Sequence, residues 1–353
     1  MNNPSKNPLY IRRYGKPAAD VSQIRDFIGD NSDWLENRKG LDALYQKQQR
    51  RTACKVCVND LPITVLFRNN GTNYYLCERC GHLNGEFADL KAYSEEMYTT
   101  GIFGGDYREP TEEQFYRRMD GIYVPKARFL KNSLETLGVQ VATLHYLDVG
   151  AGAGYMVGAL HRTGLKAKGV DVDNFQVTYG NKMLNGFFLE TRTISEITQI
   201  VRNTDAEVLT FIKVFEHIYN LREIFDAIKG NERIKYIFFC VPMMSLTCAI
   251  EVCFPEVFAR QLGAGGVHNH LFSEESLAYI YEQYNFIPLA EWRFGQDIAD
   301  IFRSISVMLS KNNTHEKFIN IIKDFFYENT DSMQLIVDKA GLASEIHVLA
   351  QVH

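Results

Sequence analysis

A doubly wound α/β fold is predicted for this 353-residue chain by three short apolar segments, each running into a turn that carries chemistry. The first joins His145-Tyr146-Leu147 to Asp148-Val149-Gly150-Ala151-Gly152-Ala153-Gly154-Tyr155 and a helix-like run ending at Arg162. It reads as a strand, a tight glycine turn and a helix N-terminus. Glycine lets a ligand approach the backbone, and the first helical turn offers free N–H groups. The second segment, Gly169-Val170-Asp171-Val172-Asp173, reads as a strand closing on an acid 21 residues after Gly150. Doubly wound nucleotide folds place a ribose-binding carboxylate roughly 20 residues on. The third, Val208 to Ile218, reads as a buried strand that delivers Glu216 and His217 to the crevice where open α/β sheets bind ligands.

The glycine spacing is Gly-x-Gly-x-Gly, and Tyr155 stands where a dinucleotide fingerprint carries its third glycine. These residues resemble motif I of the class I S-adenosylmethionine (SAM) methyltransferases. The resemblance implies a Rossmann-like class I methyltransferase sheet, with an N-terminal zinc-ribbon unit and helical appendages around it. It places the backbone from Asp148 through Gly150, Ala151, Gly152 and Gly154 to Tyr155 at the methionine and ribose end of SAM. Asp171 then holds the ribose, with Val172 and Lys213 as further cofactor contacts. Many class I methyltransferases carry a Glu-His pair where Glu216 and His217 stand. An imidazole with an ordinary pKa of roughly 6.5 takes a proton near neutral pH, and an adjacent acid orients it. His217 is therefore a candidate general base with Glu216 beside it; stacking on the cofactor or local hydrogen bonding is the competing role.

Composition sets bounds on the rest. The chain is 46% hydrophobic and 23% charged, as soluble globular proteins are, and its length allows two or three units. A net charge of −5 and a pI near 6.0 argue against a dedicated nucleic-acid surface. Lys47 to Lys55 is the most basic run and reads as a solvated lead-in to the cysteines. Met1 to Lys6 is polar, which is not a secretory leader. Tyr236 to Ile250, the longest uncharged stretch, contains Pro242 and falls short of the roughly 18 apolar residues of a spanning helix. A cytoplasmic enzyme with no membrane partner is expected.

Cys54-Lys55-Val56-Cys57 and Cys77-Glu78-Arg79-Cys80 are separated by 19 residues, a spacing that fits a tetrahedral Zn²⁺ site. Gly81 follows the second pair. Thr64–Phe67 and Tyr74–Leu76 read as strands around Asn69-Asn70-Gly71, a hairpin signal. The alternative is disulfide bonding, which a reducing compartment disfavours. Four thiolates close the coordination sphere, so the metal is expected to be structural. Cys240, Cys248 and Cys253 read as core residues.

Five units are expected along the chain: a helical segment at 1–50, the ribbon at 51–90, an aromatic-rich lid or linker at 91–136, the SAM-binding domain at 137–311, and a helical appendage at 312–353. Ile24, Phe27, Trp34, Leu41 and Tyr45 carry the first helical period. Tyr93, Tyr98, Phe103, Tyr107, Phe115, Tyr116 and Tyr123, broken by Gly101, Gly104 and Gly105, suggest a lid with one or two tyrosines toward the ligands. Sheet strands are placed at 144–149, 167–172, 186–190, 207–213 and 235–241. A closing antiparallel hairpin pairs Ile287–Arg293 with Ser304–Leu309, its loop offering Gln296 and Asp297 to a substrate. His268 and His270 alternate, so one of them points at the crevice, ahead of a helix capped by Ser273. In the appendage Phe318, Ile322, Phe325 and Leu335 are placed inward, covering a sheet edge or serving a homodimer.

A zinc ribbon, a tyrosine-rich helical segment and a SAM domain with Glu-His after its fourth strand together resemble the bacterial sugar methyltransferases, over residues of about 50 to 310. Those include the C-methyltransferases of nucleotide-linked keto-sugars. The implied partner is a small carbohydrate, and His217 would take a proton from a carbon beside a keto group or from a hydroxyl. The chain lacks the long C-terminal second domain of the larger C-methyltransferases, which leaves carbon and oxygen both open as acceptor. RNA base methylation is the rival activity, disfavoured by the acidic charge and the absent Asn/Asp-Pro-Pro-Tyr signature; another small-molecule acceptor or a degenerate binding module is the remaining alternative.

Overall fold

The computed structural model describes residues 10–17, 32–90, 110–262 and 268–352. The expectations for Ile24 and Phe27, the side chain of Trp34, and the 91–109 part of the aromatic lid lie outside the described residues.

In chain order, β1 (Ile11–Tyr14) precedes α1 (Ser32–Tyr45) and a small antiparallel sheet of β2 (Phe67–Asn69), β3 (Thr72–Leu76) and β4 (Leu83–Gly85). Asn70 and Gly71 turn β2 into β3 with φ of 46° and 78°, the left-handed pair a two-residue hairpin demands. Helices α2 (Glu112–Arg118) and α3 (Val124–Thr136) lead to the alternating core: β5 (His145–Val149), α4 (Tyr155–Arg162), β6 (Lys166–Asp171), α5 (Asn174–Met183), β7 (Leu189–Thr191), α6 (Ile194–Asn203), β8 (Val208–Ile212), α7 (Leu221–Lys229) and β9 (Tyr236–Pro242). Then come α8 (Leu246–Cys253), α9 (Glu274–Tyr284), β10 (Phe286–Arg293), α10 (Asp297–Lys311), α11 (Glu316–Lys339) and β11 (Glu345–Val352).

Eight strands form one sheet in the order β1-β10-β11-β9-β8-β5-β6-β7, and every neighbouring pair is parallel except those made by β11. Both faces are covered, which is why β8 is buried along its whole length and reads as an unbroken apolar run. Alternate residues feed two cores. Leu209, Phe211, Phe239 and Val348 meet α7 and α9 on one face, while Val208, Phe238, Leu349 and Trp292 meet α3 and α4 on the other. Helix α7 shows how the sequence dictates this: Leu221, Ile224, Phe225 and Ile228 recur at helical spacing and are all buried. No helix among the described residues is long and apolar enough to cross a membrane.

Four expectations are corrected. Ser304–Leu309 is not a strand but part of α10, because Ile298, Ile301, Phe302 and Ile305 continue a helical stripe that local alternation conceals. The hairpin partner of β10 is instead β11, so the segment after Lys311 is not wholly helical and its last strand lies inside the sheet, with Ala290 opposite Leu349 and His347 opposite Cys240. Along α11, Phe318 and Phe325 are about half exposed (49% and 51%), while Phe326 is buried against Phe302. Cys253 is exposed and not a core residue. Strand β1, parallel to β10, was not anticipated.

Candidate active site

The chain runs from β5 outward to β6 and β7, then returns to the other side of β5 with β8. Ligands of open α/β sheets bind outside the carboxyl ends of the strands at such a switch point. A cleft of about 980 Å³ opens there, lined among others by Gly150, Gly152, Asp171, Val172, Lys213 and His217. Pockets of this size suit a cofactor-sized ligand together with a small partner.

The glycine turn forms the floor. Gly150, Gly152 and Gly154 have φ of +74°, +51° and +75°, a region costly for other residues. A Cβ on Gly150 would stand 2.6 Å from Val214 Cγ2, and one on Gly154 would stand 2.8 Å from Leu189 Cδ1. On Gly152 it would meet nothing within 4 Å, so this glycine leaves open space where a ligand can lie against the backbone. Asp171 ties the turns together: Oδ2 accepts from the Gly152 N–H at 2.7 Å, and Oδ1 from the Asp173 N–H at 2.9 Å. Asp148 lies beneath, buried, accepting from Thr210 Oγ1 at 2.5 Å; burial pushes its carboxyl up to about 7. Ala151 and Tyr155 also line the cleft, and the Tyr155 ring lies between Phe115 (centroids 4.6 Å apart) and Tyr123 (5.2 Å). Tyr123 reaches the cleft wall as well.

His217 faces this cleft, and its Nε2 lies 4.0 Å from Glu216 Oε1. Glu216 is fully buried, and neither of its carboxylate oxygens has a hydrogen-bond partner among the described residues. Burial raises it to about 7, against the opposing charge of Lys213. Having no exposed surface, Glu216 has no direct access to the cleft. The His268 ring lies 5.3 Å from that of His217, with Nδ1 3.3 Å from the Gln261 carbonyl. Burial holds His268 well below the usual imidazole range, so it is neutral.

The sequence reading missed the groups behind Lys213. This lysine has φ of +62°, a left-handed conformation that costs about 1–2 kcal/mol for a residue with a Cβ. Its Nζ lies 2.7 Å from Glu345 Oε2, and Lys126 Nζ lies 3.3 Å from Glu345 Oε1. Burial alone would raise Glu345; the two ammonium groups outweigh it and hold the carboxylate well below its usual range. Cys240 and His347 complete this cluster, but two lysines already claim the carboxylate, so it is an ion-pair network and not a metal centre. The available signal was Lys126 itself, a charge set within the apolar face of α3 formed by Ala127, Leu130 and Leu134.

None of the four expected substrate contacts lines the cleft: His268 borders a smaller pocket beside Lys55, Leu83 and Asn269, and the other three stand elsewhere. His270 is buried against the ribbon, with Nδ1 3.1 Å from His82 Nε2. Asp297 is fully buried, accepting from the Thr247 N–H at 3.0 Å, Thr247 Oγ1 at 2.8 Å and the Ser344 N–H at 3.0 Å. Gln296 precedes α10 and donates its N–H to Ser344 Oγ at 3.2 Å. The loop assumed to carry these last two is the start of a helix packed under the residues leading into β11. None of the three lines the cleft.

The four paired cysteines converge. Cys54 and Cys80 sulfurs are 3.6 Å apart, those of Cys57 and Cys77 3.4 Å, and all four lie within 4.8 Å of one another. A disulfide would bring a pair to about 2.05 Å. Four thiolates around one ion at a metal–sulfur distance of about 2.3 Å would stand about 3.8 Å apart, so the donor set fits a tetrahedral metal. Each pair bends in a tight knuckle: the Val58 N–H donates to the Cys54 carbonyl at 3.1 Å, and the Gly81 N–H to that of Cys77 at 2.8 Å.

No protein-family model and no curated protein sequence matches this chain. Among solved structures it is similar to magnesium protoporphyrin IX methyltransferase from Synechocystis PCC 6803, at 13% identity and a TM-score of 0.41 over 57% of this chain and 90% of that one. A SAM-dependent methyltransferase from Archaeoglobus fulgidus gives 16% identity and a TM-score of 0.39, over 64% and 94%. Geranyl diphosphate C-methyltransferase from Streptomyces coelicolor gives 14% identity and a TM-score of 0.39, over 69% and 84%.

Proposed function

We propose that the chain is a SAM-dependent methyltransferase whose acceptor is a carbohydrate, free or nucleotide-linked. One observation supports the activity above all: the glycine turn, Asp171 and His217, which belong to three separate strand ends, face a single cleft. The carbohydrate acceptor rests on the sequence resemblance. SAM, when bound, supplies an activated methyl group; the chain's own residues bind, orient and move a proton.

Asp171 would accept hydrogen bonds from the ribose diol, its two backbone partners fixing the carboxylate in place. The backbone around Gly152 would lie against the methionine end, where no Cβ intrudes. His217 would remove the acceptor's proton, from a hydroxyl or from a carbon beside a keto group, with Glu216 stabilising the resulting imidazolium. His268 stands next to His217, outside the residues that line the cleft. Zn²⁺ at Cys54, Cys57, Cys77 and Cys80 would be a closed, structural site.

The test is incubation with isotopically labelled SAM and a panel of nucleotide sugars, followed by NMR of the labelled methyl. A methyl carbon signal on one acceptor is expected, its chemical shift separating carbon from oxygen attachment. Methyl transfer to RNA but to none of the sugars would replace the carbohydrate reading.

A further inference from the structure

Among the described residues, the short segment Asn269 to Ser273 hydrogen-bonds both the cysteine unit and the Glu216-His217 pair. Lys55, between Cys54 and Cys57, has a side chain only 3% exposed, and its Nζ donates to Asp89 and to the main-chain oxygen of Asn269. Asn269 in turn grips both members of the Glu-His pair. Its N–H donates to the Glu216 carbonyl at 2.7 Å, and its side-chain Nδ2 donates to the His217 carbonyl at 2.7 Å. The His270 N–H adds a second bond to the Glu216 carbonyl at 3.1 Å.

The same segment meets the ribbon at further points. His270 contacts His82, Leu271 bridges to Leu83, and Ser273 Oγ donates to the Gly81 carbonyl at 2.7 Å. Residues 214–220 belong to neither β8 nor α7, so the backbone of the pair takes these bonds from outside its own elements. The amide Oδ1 of Asn269 is buried and has no hydrogen-bond partner among the described residues.

We infer that Asn269 and Lys55 are positioning residues, carrying the geometry of the four-cysteine unit to Glu216 and His217. This rests on the methyltransferase reading for the role of His217, though not for the contacts themselves. A misplacement of about 1 Å at a reacting group costs up to about 100-fold in rate, so even a modest shift of this backbone is measurable.

The experiment uses the full chain with Lys55→Met, Asn269→Ala and the double variant. Methionine keeps the length of the lysine stem, and Asp89 retains Arg51 at 3.1 Å. Amide hydrogen exchange is followed in peptides covering 214–220, beside SAM affinity by calorimetry and kcat. The expected result is faster exchange at 214–220 in both single variants, unchanged SAM affinity, and kcat lower by about 10- to 100-fold. Two residues on one relay are not additive, so the double variant should lose no more than the weaker-performing single. Unchanged exchange at 214–220 in Lys55→Met, or fully additive losses, would overturn the relay. Asn269→Ala removes the side-chain bond to the His217 carbonyl, so unchanged exchange at 214–220 in that variant would also overturn the relay, and it decides alone if Lys55→Met fails to fold. Loss of protection in a protein whose wild type transfers no methyl group upholds the relay and counts only against the methyltransferase reading.

Discussion

Replacing His217 by alanine is expected to lower kcat by about 10²- to 10⁴-fold, the range that a positioned general base contributes. SAM affinity should stay near wild type, because the floor of the cleft is built from Gly150 to Tyr155 and Asp171 and owes nothing to the imidazole. The size of the effect follows from placement. His217 is the one member of the Glu-His pair that lines the cleft, whereas Glu216 is sealed behind it, 4.0 Å away, with no exposed surface. Glu216→Gln should therefore be milder, since it weakens the stabilisation of the imidazolium without removing the base. Initial rates under saturating SAM, set beside calorimetric affinities, separate the two contributions. Turnover near the wild-type rate in His217→Ala would show that another group takes the proton.

The second large effect is expected at the cysteines. Cys77→Ser should abolish metal binding and unfold the ribbon. Its three strands hold only 3, 5 and 3 residues, and the apolar cluster around Tyr74 and Leu83 is small. A unit of this size needs a staple, and structural zinc supplies about 10–16 kcal/mol in isolated finger peptides. Metal analysis should return one zinc per chain in the wild type and none in the variant. The thermal transition should move to lower temperature or split in two. A metal-free wild type, or an unchanged melt in Cys77→Ser, would mean that packing against α1, where the buried Tyr45 hydroxyl donates to the Phe87 carbonyl at 2.7 Å, suffices by itself.

The cleft was legible because each of its walls announces itself locally. A glycine turn, an acid at a strand end and a Glu-His dipeptide are signals within a dozen residues, and the sheet order then brings them together. The strands they terminate lie within about three residues of their expected limits, and Ser273 caps α9 as its hydroxyl pattern suggests. What failed depended on long-range pairing. β11 enters the sheet between β9 and β10 after a 24-residue helix, and nothing in Glu345–Val352 names its neighbours. Mistaking α10 for the hairpin partner then made Gln296 and Asp297 look like loop residues. The Lys126–Glu345 contact, spanning 219 positions, was beyond reach for the same reason. Alternation of His268 and His270 suggests that one of them faces the cleft, yet neither lines it: His270 packs on His82 of the ribbon, and His268 borders the pocket beside Lys55 and Leu83.

The space above Gly152, bounded by Asp171, is expected to receive SAM. Calorimetric titration with its demethylated product, S-adenosylhomocysteine, tests this most directly, with wild type and Asp171→Ala compared in parallel and NAD as the competing nucleotide. One site per chain in the wild type, an affinity more than tenfold weaker in Asp171→Ala and no heat with NAD is the predicted result. Equal binding by both proteins, or a preference for NAD, would contradict it.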